Sequence, residues 1–226
     1  MNVIKEWAKS AGGHAISLAY GGGFVFEKNH KPLLFIGGVH GDEPEGVELA
    51  TRFLQYLEHS SEKTSPWILI PCLNPDGYMK VERTNGNGVD LNRNYPAKNW
   101  SPDCDAPRYF PGTKAASEPE IQALTALIEA ERPRLILHFH SWKPCIVCSG
   151  EKGRLDAQRL ARASNYEIVS DIGYPTPGSL SSFANKDHDI PVICIEEEAG
   201  VALAEVWPRF QPALIEILND TSMRDK

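Results

Sequence analysis

The stretch LLFIGGVHGDEPEG (33–46) joins an apolar run to a glycine-rich segment that holds a histidine and three acids. The apolar part, LLFIG (33–37), has the composition of a buried β-strand. Beyond the stretch, apolar residues recur at helical spacing, namely Val47, Ala50, Phe53, Leu54 and Leu57. Pro44 suits the first turn of that helix. The stretch therefore predicts a strand–loop–helix unit with His40 and Glu43 in the loop, where α/β proteins collect functional side chains.

The rest of the chain repeats this alternation of strands and helices. Further strands are predicted at AISLAY (15–20), WILIPC (67–72), RLILHFH (134–140) and IPVICIE (190–196). Further helices are predicted around the apolar stripe of 121–128, at 155–163 and at 202–218. Between 73 and 116 the chain is rich in Asn, Gly, Pro and Asp, and an irregular stretch of this length is typical of a functional loop. The alternation predicts an α/β domain layered around one sheet.

Composition narrows the classes of partner. Of the 226 residues, 42% are hydrophobic and 23% charged, as in an ordinary globular protein. The net charge of −7 gives no general attraction for phosphate backbones, so we expect no nucleic-acid partner. No apolar run approaches the length of a membrane span, so we expect no membrane partner. The N-terminal sequence shows no signal-peptide pattern, which predicts a cytoplasmic protein.

The five cysteines do not form the pattern of a disulfide framework, because their number is odd and their spacing irregular. This also predicts a reducing compartment. The segment CIVC (145–148) has the spacing of a redox pair or of half a zinc site. However, no second C-x-x-C exists, and a strand here would point Cys145 and Cys148 to opposite faces. The pattern favours structural cysteines, with the other two functions left open.

Two histidine-containing segments suggest a metal site. A neutral imidazole and a carboxylate suit zinc, and the three-residue spacing of His40 and Glu43 lets both side chains aim at one point. By itself, H-x-x-E is more typical of a polar loop than of a metal site. His138 and His140 lie near the end of the strand at 134–140, and a period of two puts both on one face. We favour His140 as a ligand because it is nearer the strand end, and we predict that His138 is a hydrogen-bonded core histidine.

Two further segments carry charged residues suited to catalysis. In ERTNGNGVDLNRNYP (82–96), arginine side chains stand in the predicted loop, and the guanidinium fork grips carboxylates in two places. In ICIEEEAG (193–200), Glu196 and Glu198 share one strand face and Glu197 takes the other. A glutamate beside a zinc-bound water is a general base, whereas consecutive acids are also common at a solvated strand end.

The order of these motifs resembles that of the carboxypeptidase A-type zinc metallopeptidases. It runs through H-x-x-E (40–43), N-P-D-G (74–77), NGVDLNRNYP (87–96), HS with an aromatic residue (140–142), GYPTPGS (173–179) and a strand ending in Glu196. The bacterial murein-tripeptide amidases are the most similar subgroup, since they share a NANGVDLNRN-like run and a TPGS segment. The resemblance covers residues 33 to 200.

This resemblance implies a fold and a metal. The fold is a single-domain three-layer α/β/α structure over residues 1–226, with a central mixed, twisted sheet flanked by helices. One zinc ion per chain would be held by His40, Glu43 and His140, with a fourth position for water.

The resemblance also implies roles for five residues of the site. Glu196 would be the general base and then the general acid, and Arg83 would stabilise the oxyanion. Asn92 and Arg93 would hold the terminal carboxylate of the substrate, and Tyr174 would close over it. The partner would be a small peptide with a free carboxylate.

The sequence departs from the family pattern around the catalytic glutamate. Cys194 stands where the family usually has threonine, and Glu197 stands where it usually has an apolar residue. Glu198 therefore remains an alternative base. The favoured substrate is a murein peptide, cut at its γ-D-glutamyl–diaminopimelate bond, with the acids of DHD (187–189) or of 196–198 meeting the far amine of diaminopimelate. The alternatives are a zinc N-deacylase of the succinylglutamate desuccinylase or aspartoacylase type and a non-catalytic ligand-binding relative.

Overall fold

Eight strands form one mixed sheet in the computed structural model, which describes residues 1–60 and 64–220. The strands are β1 (Asn2–Lys9), β2 (Ala15–Gly21), β3 (Leu33–Ile36), β4 (Trp67–Ile70), β5 (Leu135–Trp142), β6 (Cys145–Ser149), β7 (Ile168–Val169) and β8 (Val192–Glu198). The helices are α1 (Pro44–His59), α2 (Pro75–Lys80), α3 (Pro119–Glu131), α4 (Arg154–Ser164) and α5 (Leu203–Asn219). The strand order is β1-β2-β4-β3-β5-β8-β6-β7. The four central strands are parallel, and antiparallel pairings extend the sheet on both sides.

Two apolar clusters cover the two faces of the sheet. Leu33 and Phe35 of β3 belong to the cluster that includes α1, α4 and α5. Leu34 and Ile36 belong to the cluster that includes α3 and the segment Ser181–Asp187. Successive residues alternate between the two clusters because side chains of a strand point to opposite faces. The predicted three-layer α/β/α arrangement around a mixed sheet is confirmed.

Sequence patterns missed several parts of this architecture, among them β7 and the helical segment Ser181–Asp187. β1 is an edge strand with no buried residue, so its sequence lacks the apolar alternation that marks a strand. The stretch predicted as irregular at 73–116 contains α2 and two short 3₁₀ turns. Within 1–60 and 64–220, none of the helices is long and apolar enough to cross a membrane.

Close backbone contacts fix the loop that follows β3. A Cβ atom on Gly46 would lie 2.3 Å from the carbonyl oxygen of Phe139, so the start of α1 packs directly against the end of β5. A Cβ atom on Gly41 would lie 1.9 Å from the carbonyl carbon of Gly77, in the N-P-D-G motif. Asn74 of that motif caps α2 by accepting a hydrogen bond from the Gly77 amide at 2.9 Å. The H-x-x-E loop therefore packs closely against α2 on one side and β5 on the other.

Candidate active site

The candidate site lies at the carboxyl ends of three neighbouring parallel strands. In the order β3-β5-β8, the loop after β3 supplies His40 and Glu43, β5 supplies His140, and β8 supplies Glu196. The register pairs His140 with Glu196. Ligands of α/β proteins bind at this edge of the sheet.

Three buried side chains converge on one point. The Nδ1 atom of His40 lies 2.8 Å from Oε1 of Glu43, and the Nδ1 atom of His140 lies 2.7 Å from Oε2. The two Nδ1 atoms are 3.1 Å apart. His40, Glu43 and His140 thus form a group able to hold a metal ion. The family resemblance implied this set of ligands, and the structure brings the three side chains together although His40 and His140 are 100 positions apart.

Each of the two histidines has a partner at its other ring nitrogen. Nε2 of His40 lies 3.1 Å from Oδ1 of Asp90, and Nε2 of His140 lies 2.9 Å from Nδ1 of His138. Such outer contacts fix the orientation of a ligating imidazole. His138 therefore lies behind His140, as a hydrogen-bonded buried histidine. Sequence reasoning missed Asp90, although it stands inside the quoted VDLNRN run.

Asp90 also anchors the first of the predicted arginines. Nε of Arg83 donates to Oδ2 of Asp90 at 2.9 Å, and Nη1 donates to Oε1 of Glu43 at 3.3 Å. Burial raises the pKa of Asp90, but His40, Arg83 and Arg93 outweigh it and hold that pKa well below its usual range. Asp90 is thus an anion that links Arg83 to His40.

Glu196 and its neighbours have different surroundings. Glu196 lines the pocket beside His140, whereas Glu198 is exposed at the strand end. Cys194 donates its thiol hydrogen to Oε1 of Glu196 at 3.2 Å. Burial raises the pKa of Glu196, Glu43 raises it further, and the histidines oppose this shift without cancelling it. Of the two acids on this strand face, Glu196 is the one placed to exchange a proton in the pocket.

The remaining predicted residues line the same pocket, whose volume is about 320 Å³. Asn92 and Arg93 follow Asp90 in a 3₁₀ turn, and Oδ1 of Asn92 accepts from the Leu180 amide at 3.0 Å. This bond leaves the Asn92 NH₂ group as the donor available to a ligand. Tyr174 is 41% exposed and lies edge-on to Trp142, with ring centroids 6.0 Å apart. Arg83, Arg93 and Arg108 form a cationic wall of the pocket, and the exposed rings of Tyr174 and Trp142 also line it.

Sequence analysis missed the aromatic support of that cationic wall. The guanidinium carbons of Arg83, Arg93 and Arg108 lie 5.2, 5.8 and 5.5 Å from the centroid of the Tyr109 ring. Attraction to the ring face stabilises closely spaced cations. Tyr109 follows no recognisable motif, so only the tertiary structure identifies it.

Glu45 is a third residue of the site that sequence analysis missed, after Asp90 and Tyr109. Oε2 accepts from the Ser141 hydroxyl at 2.6 Å, and Oε1 accepts from the Gly200 amide at 2.7 Å. The side chain therefore ties α1 to the segments that follow His140 and Glu196. The one sequence feature that could have indicated Glu45 is its position two residues after the proposed ligand Glu43.

The expectation that DHD (187–189) or the acids of 196–198 would meet the far amine of the substrate is wrong for most of these acids. Asp187 accepts from the Lys98 amide at 2.8 Å, and Asp189 pairs with Lys152, away from the pocket. Glu197 lies on the opposite face of β8, where Tyr166 and Arg209 donate to it.

The cysteines follow the predicted structural pattern. All five are free thiols. Cys145 and Cys148 lie on the short strand β6, three residues apart and hence on opposite faces. Burial raises the pKa of Cys145 to about 11, with Glu196 and Glu167 adding to the shift. A thiol with this pKa is a poor nucleophile and a poor redox group at neutral pH.

Comparison with known proteins places this site in a family. The zinc carboxypeptidase family model matches residues 14–192. Murein peptide amidase A of Escherichia coli strain K12 is 35% identical over 176 residues, which is 73% of this chain and 69% of the relative. Murein peptide amidase A of Vibrio campbellii is 32% identical over 186 residues, covering 75% of this chain and 70% of the relative.

Solved structures show the same fold. The crystal structure of the murein-tripeptide amidase from Escherichia coli O157 superposes with a TM-score of 0.76 at 28% identity, covering 96% of this chain and 92% of that chain. Carboxypeptidase A from Helicoverpa armigera gives a TM-score of 0.78 at 21% identity, covering 96% of this chain and 67% of that chain. The family model covers most of the chain, and the chain therefore belongs to the zinc carboxypeptidase family of zinc-dependent hydrolases.

Proposed function

We propose that this protein is a zinc amidase that releases diaminopimelate from L-Ala-γ-D-Glu-diaminopimelate by cutting the γ-D-glutamyl bond. The observation that carries the proposal is the convergence of His40, Glu43 and His140 in a pocket that also holds an acid and several arginines. The relatives named murein peptide amidase A support this substrate class. We further infer that the whole chain acts as one catalytic domain. The five free cysteines favour the reducing cytoplasm.

The residues present fit a single zinc ion per chain. Two imidazole nitrogens and a carboxylate are a common donor set for catalytic zinc. His40, Glu43 and His140 each offer one donor atom, and these atoms lie within 4.8 Å of one another, so the three side chains would hold one ion together. When bound, the zinc ion lowers the pKa of water to about 7 and so supplies a nucleophile at neutral pH.

This set of donors fixes which ring nitrogens of His140 and His138 carry hydrogen. With Nδ1 of His140 as a ligand, its Nε2–H donates to Nδ1 of His138. His138 then carries its own hydrogen on Nε2, which is buried without a partner among the described residues. Burial and the neighbouring His140 lower the pKa of His138, so it stays neutral and accepts that hydrogen bond.

We assign the proton transfers to Glu196. Its carboxylate lines the pocket next to His140, and its pKa is raised by burial. A raised pKa makes the carboxylate a better base toward the attacking water and the carboxylic acid a ready donor to the leaving amine. Glu196 takes a proton from the water and returns it to the diaminopimelate nitrogen as the amide bond breaks.

Arginine side chains bind the two places where the substrate carries negative charge. Arg83 lies beside Glu43 and is oriented by Asp90, so it is placed to meet charge that develops on the carbonyl oxygen. Asn92 and Arg93 hold the carboxylate of diaminopimelate next to the scissile amide, and Tyr174 closes over it. A buried guanidinium favours a substrate that ends in a carboxylate, because any other leaves its charge unpaired.

Mass analysis of the products tests this function. The zinc-loaded enzyme should release free diaminopimelate from the tripeptide and act much more slowly when the carboxylate next to the cut is amidated. Arg93→Ala should lower kcat/KM on the acid by about 10- to 100-fold and remove the preference over the amide. Arg162→Ala, which breaks an exposed pair with Glu216, is the matched control.

Two results would contradict the proposal. Equal rates of the wild type on the acid and the amide would refute the role of Arg93. Activity confined to N-acetyl or N-succinyl amino acids would identify an N-deacylase instead.

A further inference from the structure

Asp42 stands between two proposed zinc ligands and lines the same pocket. Its Oδ2 atom accepts a hydrogen bond from Nη2 of Arg108 at 3.2 Å. Its Oδ1 atom is buried and has no hydrogen-bond partner among the described residues. A buried carboxylate oxygen without a donor costs free energy unless a ligand supplies the donor. The Asp42 side chain is 31% exposed and lines the pocket, so its carboxylate has one unused acceptor that a small rotation would present to a ligand.

Arg108 is the matching cation. Its guanidinium lies over the Tyr109 ring, beside Arg83 and Arg93, and also lines the pocket. Among the described residues, Asp42 is the hydrogen-bond partner found for it, and its side chain is 55% exposed. A guanidinium has five N–H donors in a planar fork, so Arg108 retains donors for a carboxylate.

We propose that Asp42 and Arg108 form a subsite for a ligand that carries an ammonium and a carboxylate close together. The ammonium donates to the carboxylate of Asp42, and the carboxylate of the ligand accepts from Arg108. Opposite charges side by side match such a zwitterion, whereas a ligand with a single charge leaves one member of the pair without a ligand partner. This inference rests on the proposed amidase function and adds a specificity determinant to it.

The proposed substrate contains this chemistry in two places. The far end of diaminopimelate is an amino-acid head with both charges on one carbon. The other half of the tripeptide carries the ammonium of L-alanine and the α-carboxylate of D-glutamate. Substrate analogues separate the two sources.

Four tripeptides and two variants provide the test. The first is the natural tripeptide. In the second, lysine replaces diaminopimelate and removes only the far carboxylate; in the third, 2-aminopimelate removes only the far ammonium. The fourth is the N-acetylated natural tripeptide. The variants are Arg108→Gln and Asp42→Asn, with Arg162→Gln as the control, because Arg162 forms an exposed pair with Glu216.

If the subsite binds the far end of diaminopimelate, the wild type should prefer the natural tripeptide over the lysine and 2-aminopimelate analogues. The expected preference is about 10- to 100-fold in kcat/KM, from one charge-assisted hydrogen bond. Arg108→Gln should bring the ratio to the lysine analogue close to one. Asp42→Asn should do the same for the 2-aminopimelate analogue. Arg162→Gln should keep both wild-type ratios.

If the subsite binds the N-terminal half instead, the wild type should discriminate against the N-acetylated tripeptide, and Asp42→Asn should abolish that discrimination. A ratio measured on one preparation is independent of the fraction of active enzyme, so partial loss of zinc or of fold does not imitate these results. Similar wild-type rates on all four peptides would overturn the proposal, as would variants that slow all four by one factor. Failure to cleave the γ-D-glutamyl bond of any of the four tripeptides would refute the amidase function itself.

Discussion

Glu196 and Glu197 are neighbours on β8 with opposite surroundings. Glu196 faces the pocket, where Cys194 donates a thiol hydrogen at 3.2 Å, and burial raises its pKa. Glu197 faces the other side of the sheet, is 1% exposed, and accepts from Tyr166 and Arg209. Arg209 thus pairs with Glu197, which lies outside the pocket. Glu196 lies in the pocket, and its raised pKa suits it to gain and lose a proton.

The same division holds for the two sides of the sheet more widely. On the pocket side, histidines, acids and arginines stand close together around the proposed metal position. These groups lie at the carboxyl ends of the strands, beyond the apolar cluster of that face, whereas on the other face α1, α4 and α5 cover an apolar cluster. Functional sites commonly tolerate charge arrangements that weaken the fold, and the rest of the core supplies the stability. Four predictions test this division between a chemical side and a supporting side.

The largest effect is expected at His140. His140→Ala removes one of three proposed ligands, so the purified protein should lose its stoichiometric zinc and its amidase activity. Elemental analysis and a diaminopimelate release assay measure both. His138→Ala removes only the hydrogen-bond partner of His140, and a lost outer-shell contact weakens metal affinity by about 10- to 100-fold. A His140→Ala protein that keeps one zinc per chain would point to His138 as the ligand.

The next effect concerns the two neighbouring acids directly. Glu196→Gln should keep zinc and substrate binding but lower kcat by about 100- to 10,000-fold, the usual contribution of a general acid–base group. Glu197→Gln should retain most of the activity, because its side chain lies on the far face of β8. Glu198→Gln is the control for strand alignment. If Glu198→Gln were inactive and Glu196→Gln active, the base would be two residues further along.

The free energy of unfolding should depend on Glu197 rather than on Glu196, the reverse of the expectation for activity. Glu197→Gln removes the buried anionic partner of Arg209, which keeps only its pair with the exposed Glu205, and should reduce the free energy of unfolding by about 1–3 kcal/mol. Glu196→Gln should leave the metal-free protein equally or more stable at pH 7, because a raised carboxyl pKa means that the fold disfavours the ionised form. Denaturant unfolding of the metal-free proteins measures both. A less stable Glu196→Gln would contradict the division between the two faces.

The smallest effect is expected at Asp76, which supports the site from the N-P-D-G motif. Burial raises the pKa of Asp76, but hydrogen bonds from Ser10, His14 and the Gly12 amide outweigh it and lower the pKa. A lowered carboxyl pKa stabilises the fold above the unfolded value of about 3.9, and this contribution is lost as the pH falls through the folded value.

Asp76→Asn should therefore cost about 1–2 kcal/mol at pH 7, and the difference from the wild type should shrink below about pH 4. Unfolding curves at pH 7, 5 and 3 measure this difference. A gap that stays constant with pH would show that the carboxylate charge has no part in it.

The sequence by itself determined the local structure and the faces of the strands. The period of two placed Glu196 and Glu197 on opposite sides of β8 and put His138 and His140 on the same side. Apolar spacing identified all the central strands and the long helices, because local packing against one core leaves a regular signal. The order of motifs identified the family and predicted the proposed zinc ligands and the base. The strand β1 was not predicted, because an exposed edge strand has no apolar alternation.

Only the tertiary structure decided which polar groups meet across the sheet and the long loop. Asp90 reaches His40 across fifty residues, and Arg108 reaches Asp42 across sixty-six. These pairs depend on the strand order and on the path of an irregular loop, neither of which leaves a periodic pattern in the sequence. The contacts of three arginines with the Tyr109 ring likewise depend on the path of this loop. Periodicity reports which face a side chain takes, whereas partners in a long loop are set by chain closure over tens of residues.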